Sequence, residues 1–143
     1  MAIFVDTSAI YALLADDDSS HAAAAATFSV LGESEELVTH GYVVSEAAAL
    51  VQRRLGPEAL RTLLSEVLKI LDVEMVDRAT HDAAVASLLA SVDRRISFVD
   101  WTSFVFMRAR GIMDALAYDR DFAAQGFRLG PGADTKTDPA IST

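Results

Sequence analysis

The stretch Ile3-Phe4-Val5-Asp6-Thr7-Ser8-Ala9 decides the fold of this chain. Its apolar residues, with Ala2 before them, form a short run that predicts a buried strand over Ala2–Val5. Asp6, Thr7 and Ser8 then offer N-cap side chains to a helix predicted over Ala9–Ala15. A strand that passes directly into a helix is the repeating unit of α/β folds.

The same alternation of strands and helices continues along the chain. Further strands are predicted at Leu37–His40, Val73–Val76, Ala115–Tyr118 and, at an edge, Phe127–Leu129. The other predicted helices are His21–Leu31, Tyr42–Leu55, Pro57 to Leu71, Ala79–Val92 and Trp101–Arg110. This order predicts an α/β fold with a parallel sheet covered on both faces.

The helix that starts at Pro57 carries a single apolar stripe, which predicts one core-facing side. The stripe consists of Leu60, Leu63, Leu64, Val67, Leu68 and Leu71.

Length and composition agree with one compact domain, which we expect over residues 1–129, followed by a flexible tail at 130–143. The chain has 143 residues, 52% of them hydrophobic, and no cysteine, which excludes disulfides and thiolate zinc sites. No basic segment precedes Asp6, and no apolar stretch approaches the roughly 18 residues of a membrane helix. We therefore expect a cytoplasmic protein with no membrane association.

The net charge of −9 at first argues against a nucleic-acid partner. Its distribution weakens that argument. Residues 1–52 contain eight acids and no Lys or Arg, whereas residues 53–128 contain eleven charges of each sign, ten of the bases being arginine. Arginine favours bidentate contact with phosphate, although each arginine is equally well explained as solvated surface.

Five carboxylates are candidate functional groups, and four of them have an ordinary structural explanation. Asp6 and Asp100 both precede or begin a predicted helix and can act as caps. Asp119 and Asp121 are typical turn residues. Glu46 is harder to explain, because its neighbours in the predicted helix are almost all apolar, although a narrow polar stripe is an alternative.

Taken together, the carboxylates predict a shared site. Asp6 and Asp119 lie where an apolar strand ends, Glu46 lies in the first turns of the helix after the second strand, and Asp100 follows a short apolar segment, Ile96–Val99. Ligands of parallel sheets sit at the carboxyl ends of the strands, so these acids can face one crevice. Such a group of oxygen ligands suits Mg²⁺ or Mn²⁺, which can activate water and stabilise a phosphodiester under attack.

Other catalytic motifs are missing from the sequence. His21, His40 and His81 are far apart and form no HExxH motif, so surface or capping roles are expected. There is no glycine-rich phosphate loop and no Gly-x-Ser-x-Gly elbow. The aromatic residues Phe98, Trp101, Phe104 and Phe106 are interpreted as core rather than as a base-stacking platform.

Four motifs, in order and spacing, resemble PIN-domain nucleases over about residues 2–129, and most closely VapC-type toxins of toxin–antitoxin pairs. They are 3–9 (Ile-Phe-Val-Asp-Thr-Ser-Ala), Glu46, 97–104 (Ser-Phe-Val-Asp-Trp-Thr-Ser-Phe) and 115–122 (Ala-Leu-Ala-Tyr-Asp-Arg-Asp-Phe), the last followed by Gln125-Gly126-Phe127. The resemblance implies a three-layer α/β/α fold with a short, mostly parallel sheet. It also implies a Mg²⁺- or Mn²⁺-dependent endoribonuclease that cuts tRNA or ribosomal RNA.

The family's acidic quartet maps onto Asp6, Glu46, Asp100 and Asp119, with Asp121 as an auxiliary metal ligand. Thr7 or Ser8 and Ser103 match polar residues near the metal. Ala117 departs from the family pattern, which often has Thr or Ser there, and a supporting hydrogen bond is thereby in doubt. A homodimer held by a cognate antitoxin is also implied.

Two alternatives stay open at this point. One is a different metal enzyme on similar acids, such as a phosphatase or a DNA-directed nuclease. The other is a non-catalytic interaction module that keeps only the fold, although such a module has no use for a repulsive pocket.

Overall fold

The computed structural model describes residues 1–130, so the tail expected at 130–143 lies, beyond its first residue, outside the described residues. Five strands form one sheet: β1 (Ala2–Val5), β2 (Glu36–His40), β3 (Asp72–Glu74), β4 (Asp114–Leu116) and β5 (Arg128–Leu129). The helices are α1 (Thr7–Leu14), α2 (His21–Ser34), α3 (Gly41–Arg54), α4 (Pro57–Thr62), α5 (Leu68–Ile70), α6 (Arg78–Ala90), α7 (Phe98–Arg110) and α8 (Asp121–Ala124).

The sheet is parallel throughout, in the order β3-β2-β1-β4-β5. Helices cover it in the three-layer α/β/α arrangement, which confirms the predicted fold class. The order reverses at β1, whose neighbours are β2 on one side and β4 on the other. The crevice beyond the carboxyl ends of β1 and β4 is therefore the topological switch point, where open α/β sheets bind ligands.

The core is built on β1 and the aromatic residues around it. Phe4 is fully buried, and its ring centroid lies 5.8 Å from that of Phe106 and 6.1 Å from that of Phe122. Phe104 is also fully buried, and the half-buried Trp101 packs against this core. Phe98 is half-buried outside the core, so the prediction that the four aromatic residues are core is wrong for Phe98. Within the described part of the chain, no helix is long and apolar enough to cross a bilayer.

Several predicted elements differ in their bounds from the structure. The strands predicted to end at Val76 and Tyr118 end at Glu74 and Leu116. The helix from Pro57 is interrupted by a π-helical turn at Leu63–Val67, which shifts the stripe, and Leu64 is 49% exposed while Leu63 and Val67 are buried. The helix expected to start at Trp101 starts at Phe98, because Ser97 caps it. Phe98 and Val99, the second half of the predicted apolar lead into Asp100, thus lie in the first turn of α7.

Candidate active site

The five candidate acids reach the same edge of the sheet from five elements. Asp6 follows β1 directly and Asp119 follows β4, the neighbouring strand. Glu46 lies on α3, which follows β2, while Asp100 is in the first turn of α7 and Asp121 begins α8. We call these five residues the acidic site.

Three of the acids are in close proximity. One carboxylate oxygen from each of Asp100, Asp119 and Asp121 lies within 4.8 Å of the others. The backbone N–H of Asp121 donates to Oδ1 of Asp119 at 3.0 Å, which fixes one carboxylate relative to the next. Burial raises the pKa of Asp121, and repulsion from Asp119 adds to the shift. Asp6 and Glu46 lie outside this tight group but are near enough to repel Asp100.

Asp6 is a charged group with almost no access to water. It is 4% exposed, and its Oδ2 accepts hydrogen bonds from the Ser8 backbone N–H at 3.1 Å and from the Ser8 hydroxyl at 2.6 Å. Burial raises the pKa of Asp6 to about 7 against the opposing hydrogen bonds, with repulsion from Asp100 and Asp119 adding to the rise. Ser8 Oγ also accepts from the Tyr118 backbone N–H at 2.9 Å, so the side chain ties α1 to the segment after β4.

Asp100 is held by a capping box at the start of α7. Its carboxylate accepts from the Ser97 backbone N–H at 3.0 Å, and Ser97 Oγ accepts from the Asp100 backbone N–H at 3.1 Å. Asp100 is therefore the third helical residue rather than the cap that the sequence suggested. Burial raises its pKa to about 6, the Ser97 hydrogen bonds oppose the rise, and Asp119 and Glu46 increase it.

Ser103 supports the site from inside the fold rather than from its edge. Its hydroxyl donates to the Val99 carbonyl at 2.9 Å and lies 2.9 Å from Nε2 of the fully buried His40. His40 caps α3 by accepting from the Val43 N–H at 3.3 Å, and burial lowers its pKa to about 4. The imidazole is thus neutral, with Nε2–H donating to Ser103. This bond fixes α7, and with it Asp100, against the start of α3.

The sequence predicted a capping or surface role for histidines, and the cap is confirmed at His40. It did not predict the bond to Ser103, because the two residues are 63 positions apart. The one feature of the sequence that hinted at a buried role for His40 was its position at the end of an apolar strand.

The residues present fit a hard divalent cation. The donors are carboxylate oxygens, which Mg²⁺ and Mn²⁺ prefer, and three of them already converge within 4.8 Å. The raised pKa values of Asp6 and Asp100 show that ionising these carboxyls is costly as the site stands. A bound cation would offset that cost.

The fold and the site together define an α/β protein with a parallel sheet and a carboxylate cluster at its switch point, where such sheets bind ligands. The family model described as PIN domain matches residues 3–128, and the chain belongs to the PIN-domain family. The resemblance that the four motifs indicated is confirmed.

Two comparisons concern a relative from Mycobacterium tuberculosis. The 23S rRNA-specific endonuclease VapC20 is 34% identical over 128 residues, which cover 87% of this chain and 95% of the relative. Its crystal structure, described as that of a sarcin–ricin loop cleaving toxin, matches with a TM-score of 0.79 over the same shares of the two chains. A structure of VapBC2 from Rickettsia felis bound to promoter DNA matches with a TM-score of 0.68, covering 91% of this chain and 98% of the other. That match is 13% identical and concerns the fold alone.

Proposed function

We propose that this protein is a metal-dependent endoribonuclease that acts as the toxin of a toxin–antitoxin pair. The observation that carries the proposal is the convergence of the Asp100, Asp119 and Asp121 carboxylates at the switch point of the sheet, with Asp6 and Glu46 beside them. Membership of the PIN-domain family and the 34% identity to a 23S rRNA-specific endonuclease support it.

The acidic site would hold one or more Mg²⁺ or Mn²⁺ ions, with Asp6, Glu46, Asp100 and Asp119 as the catalytic acids and Asp121 as an additional ligand. When bound, such an ion activates water and neutralises charge on a phosphodiester. The protein's own contribution is to keep the oxygens in place. Ser8 orients the Asp6 carboxylate, and Ser97 orients that of Asp100, so little rearrangement is required on binding.

Ribosomal RNA is the substrate class that the comparisons favour, because the relative is named for 23S rRNA and for cleaving the sarcin–ricin loop. We extend this to the present chain as a proposal, with tRNA as the other substrate expected from the family. A cognate antitoxin completes the proposal, since the VapC20 structure is described as that of a toxin. The homodimer rests on the family resemblance alone.

A cleavage assay with four substrates tests the activity. They are a sarcin–ricin stem–loop RNA, total tRNA, single-stranded DNA with the stem–loop sequence, and p-nitrophenyl phosphate, each with Mg²⁺, with Mn²⁺ and with EDTA. We expect cleavage of RNA only, and only with metal. Asp100→Asn should abolish cleavage, because Asn keeps the shape but loses the charge. Asp82→Asn is the matched control, since Asp82 pairs with Arg78 on the exposed face of α6 and we expect its replacement to leave cleavage unchanged.

Each alternative gives a different result in this assay. Cleavage of DNA would identify the protein as a DNA-directed nuclease, and cleavage of the phosphomonoester would identify it as a phosphatase. Cleavage by Asp100→Asn at the wild-type rate would remove Asp100 from the ligand set. If no substrate is cut and calorimetry detects no Mn²⁺ binding, the protein is a non-catalytic module.

A further inference from the structure

A cleft of about 430 Å³ opens beside the acidic site, between α3, α6 and the start of α7. Its volume lies within the range of roughly 300–1,000 Å³ that is usual for small-ligand sites. The residues that line it are Tyr42, Ser45, Glu46, Ala49, His81, Phe98 and Val99. We call it the aromatic cleft, after Tyr42, His81 and Phe98.

The three aromatic side chains form a compact, half-buried group. The ring centroid of Tyr42 lies 5.9 Å from that of His81 and 5.7 Å from that of Phe98, and the His81 and Phe98 centroids are 5.4 Å apart. The Tyr42 hydroxyl and Nδ1 of His81 are hydrogen-bonded at 2.6 Å, which holds two of the rings in a fixed arrangement. Flat apolar faces are therefore presented to the cleft on a rigid support.

The aromatic cleft and the acidic site share a wall. Glu46 lines the cleft and is also near enough to Asp100 to help raise its pKa, so this one residue belongs to both. Tyr42 precedes Glu46 by one helical turn on α3, and Phe98 and Val99 immediately precede Asp100 on α7. A nucleotide whose phosphate reached the acidic site would thus have its base within reach of the cleft.

We propose that the aromatic cleft binds an unstacked nucleobase of the RNA next to the phosphodiester at the acidic site, and that Phe98 and Tyr42 stack on it. This inference rests on the proposed ribonuclease function and adds a substrate subsite to it. Proteins that recognise RNA commonly take splayed-out bases from loops and stack them on aromatic rings. The occupant we infer is therefore a loop nucleotide rather than a paired one.

The cleft also offers polar groups to the edge of a base. The bond between Tyr42 and His81 uses Nδ1 of the imidazole, which leaves Nε2 to meet the edge of a base as a donor or as an acceptor, according to the tautomer. The exposed Ser45 hydroxyl lies on the same wall. Stacking faces with a few polar groups at the rim match the chemistry of a nucleobase better than that of an aliphatic side chain.

The first test combines a protein variant with a modified RNA. Phe98→Leu keeps an apolar side chain but removes the ring. Tyr11→Leu is the matched control, because Tyr11 is a half-buried aromatic residue of α1 that contacts Arg54, at the end of α3 away from the cleft. On the sarcin–ricin stem–loop we expect Phe98→Leu to lower kcat/KM roughly tenfold, mainly through KM, while Tyr11→Leu leaves it unchanged. Abasic residues placed in turn around the cleaved bond should identify one position where wild type and Phe98→Leu become equal.

The second test needs no change in the cleft. RNA of random sequence that contains 4-thiouridine is irradiated with the Asp100→Asn protein, and cross-linked residues are mapped by mass spectrometry. We expect the cross-links at Tyr42, His81 or Phe98 and none at Tyr11.

The possible outcomes separate this inference from the function on which it rests. If wild type cuts RNA but Phe98→Leu has an unchanged kcat/KM on every RNA, or cross-links form away from the cleft or not at all, the subsite is wrong and the nuclease stands. If Phe98→Leu instead shifts the sedimentation of the protein to a smaller species and loses activity equally on intact and abasic RNA, the cleft is an interface between two copies. If wild type cuts no RNA at all, the nuclease function fails, and cross-linking alone decides the cleft.

Discussion

Replacing Asp6 by Asn should make the metal-free protein more stable at pH 8. Asp6 is buried and its pKa is raised to about 7, so at pH 8 the folded protein holds a carboxylate in an unfavourable environment. Asn removes that charge. It is also as good an N-cap as Asp, and its side-chain oxygen can still accept the hydrogen bonds from Ser8.

The magnitude follows from the pKa shift of Asp6. A carboxyl whose folded pKa exceeds its unfolded pKa contributes stability below the unfolded value of 3.8, and this contribution is lost as the pH rises to about 7. Above that pH the cost of holding the charge is roughly 4 kcal/mol, since the shift is about three units at 1.36 kcal/mol each. At pH 5 the cost is only about 1.6 kcal/mol, because the folded carboxyl is still protonated and the pH lies only about 1.2 units above the unfolded pKa of 3.8.

Urea unfolding in EDTA measures this effect. The free energy of unfolding of Asp6→Asn should exceed that of wild type by up to about 4 kcal/mol at pH 8, and the difference should shrink by more than half at pH 5. Asp82→Asn, a change of the same type at an exposed position, should show no such difference. An Asp6→Asn protein that is less stable than wild type at pH 8, or a difference that does not depend on pH, would refute the reasoning.

Three further predictions concern the same site. Asp119→Asn should raise the melting temperature in EDTA, because it removes repulsion among the carboxylates. Millimolar Mn²⁺ should raise the melting temperature more in wild type than in this variant, since binding to the native state stabilises by mass action. A larger metal-induced shift in the variant would contradict this. Ser97→Ala should cost about 1 kcal/mol in thermal unfolding and lower the cleavage rate, because it removes the hydroxyl that accepts from the Asp100 N–H and so loosens the first turn of α7, while the Ser97 N–H remains for the Asp100 carboxylate. Unchanged cleavage would mean that the side-chain half of the capping box does not matter for activity. Neutralising every Arg and Lys in the antitoxin's C-terminal segment should relieve inhibition of RNA cleavage, because we expect one of these basic side chains to enter the acidic site and supply its missing counter-charge. Inhibition that persists would exclude this mode of inhibition.

Local sequence was sufficient to predict β1, the N-cap at Asp6 and the alternation of strands and helices along the chain. The apolar run Ala2–Val5 matches β1 residue for residue, and Asp6 caps α1 by accepting from the Ser8 N–H. The cap and the shared acidic site had been alternative explanations of Asp6. The structure shows that they are compatible, because the carboxylate that caps α1 also lies beside Asp100 and Asp119.

Interactions between distant parts of the chain could not be predicted in the same way. The Ser8 hydroxyl meets the Tyr118 N–H across 110 positions, and His40 meets Ser103 across 63. No periodicity or spacing in one sequence encodes such a pair. The start of α7 was also missed, although its signal was local: Ser97 and Asp100 have the spacing of a capping box. The assignment of each acid as a metal ligand stays a prediction until the variants are measured.

The net charge of −9 is compatible with RNA binding because of where the acids lie. Glu36 begins β2 and Asp114 begins β4, so both are at the amino edge of the sheet, where Arg128 pairs with Asp114 and the N-terminal ammonium pairs with Glu35. The acidic site is at the carboxyl edge, about 13 Å away along a five-residue strand, which exceeds a Debye length of about 8 Å at physiological salt. Screening therefore largely removes the influence of the amino-edge acids on a phosphate at the site. At the carboxyl edge, by contrast, Arg95 pairs with Asp93 at 2.9 Å, which is the main cause of its raised pKa, and the nearby charges of Asp121 and Asp119 add to the rise. The charge that RNA would encounter at this edge therefore depends on the acidic site, on any cation that it binds and on nearby Arg95, and the whole-chain total is a poor guide to it.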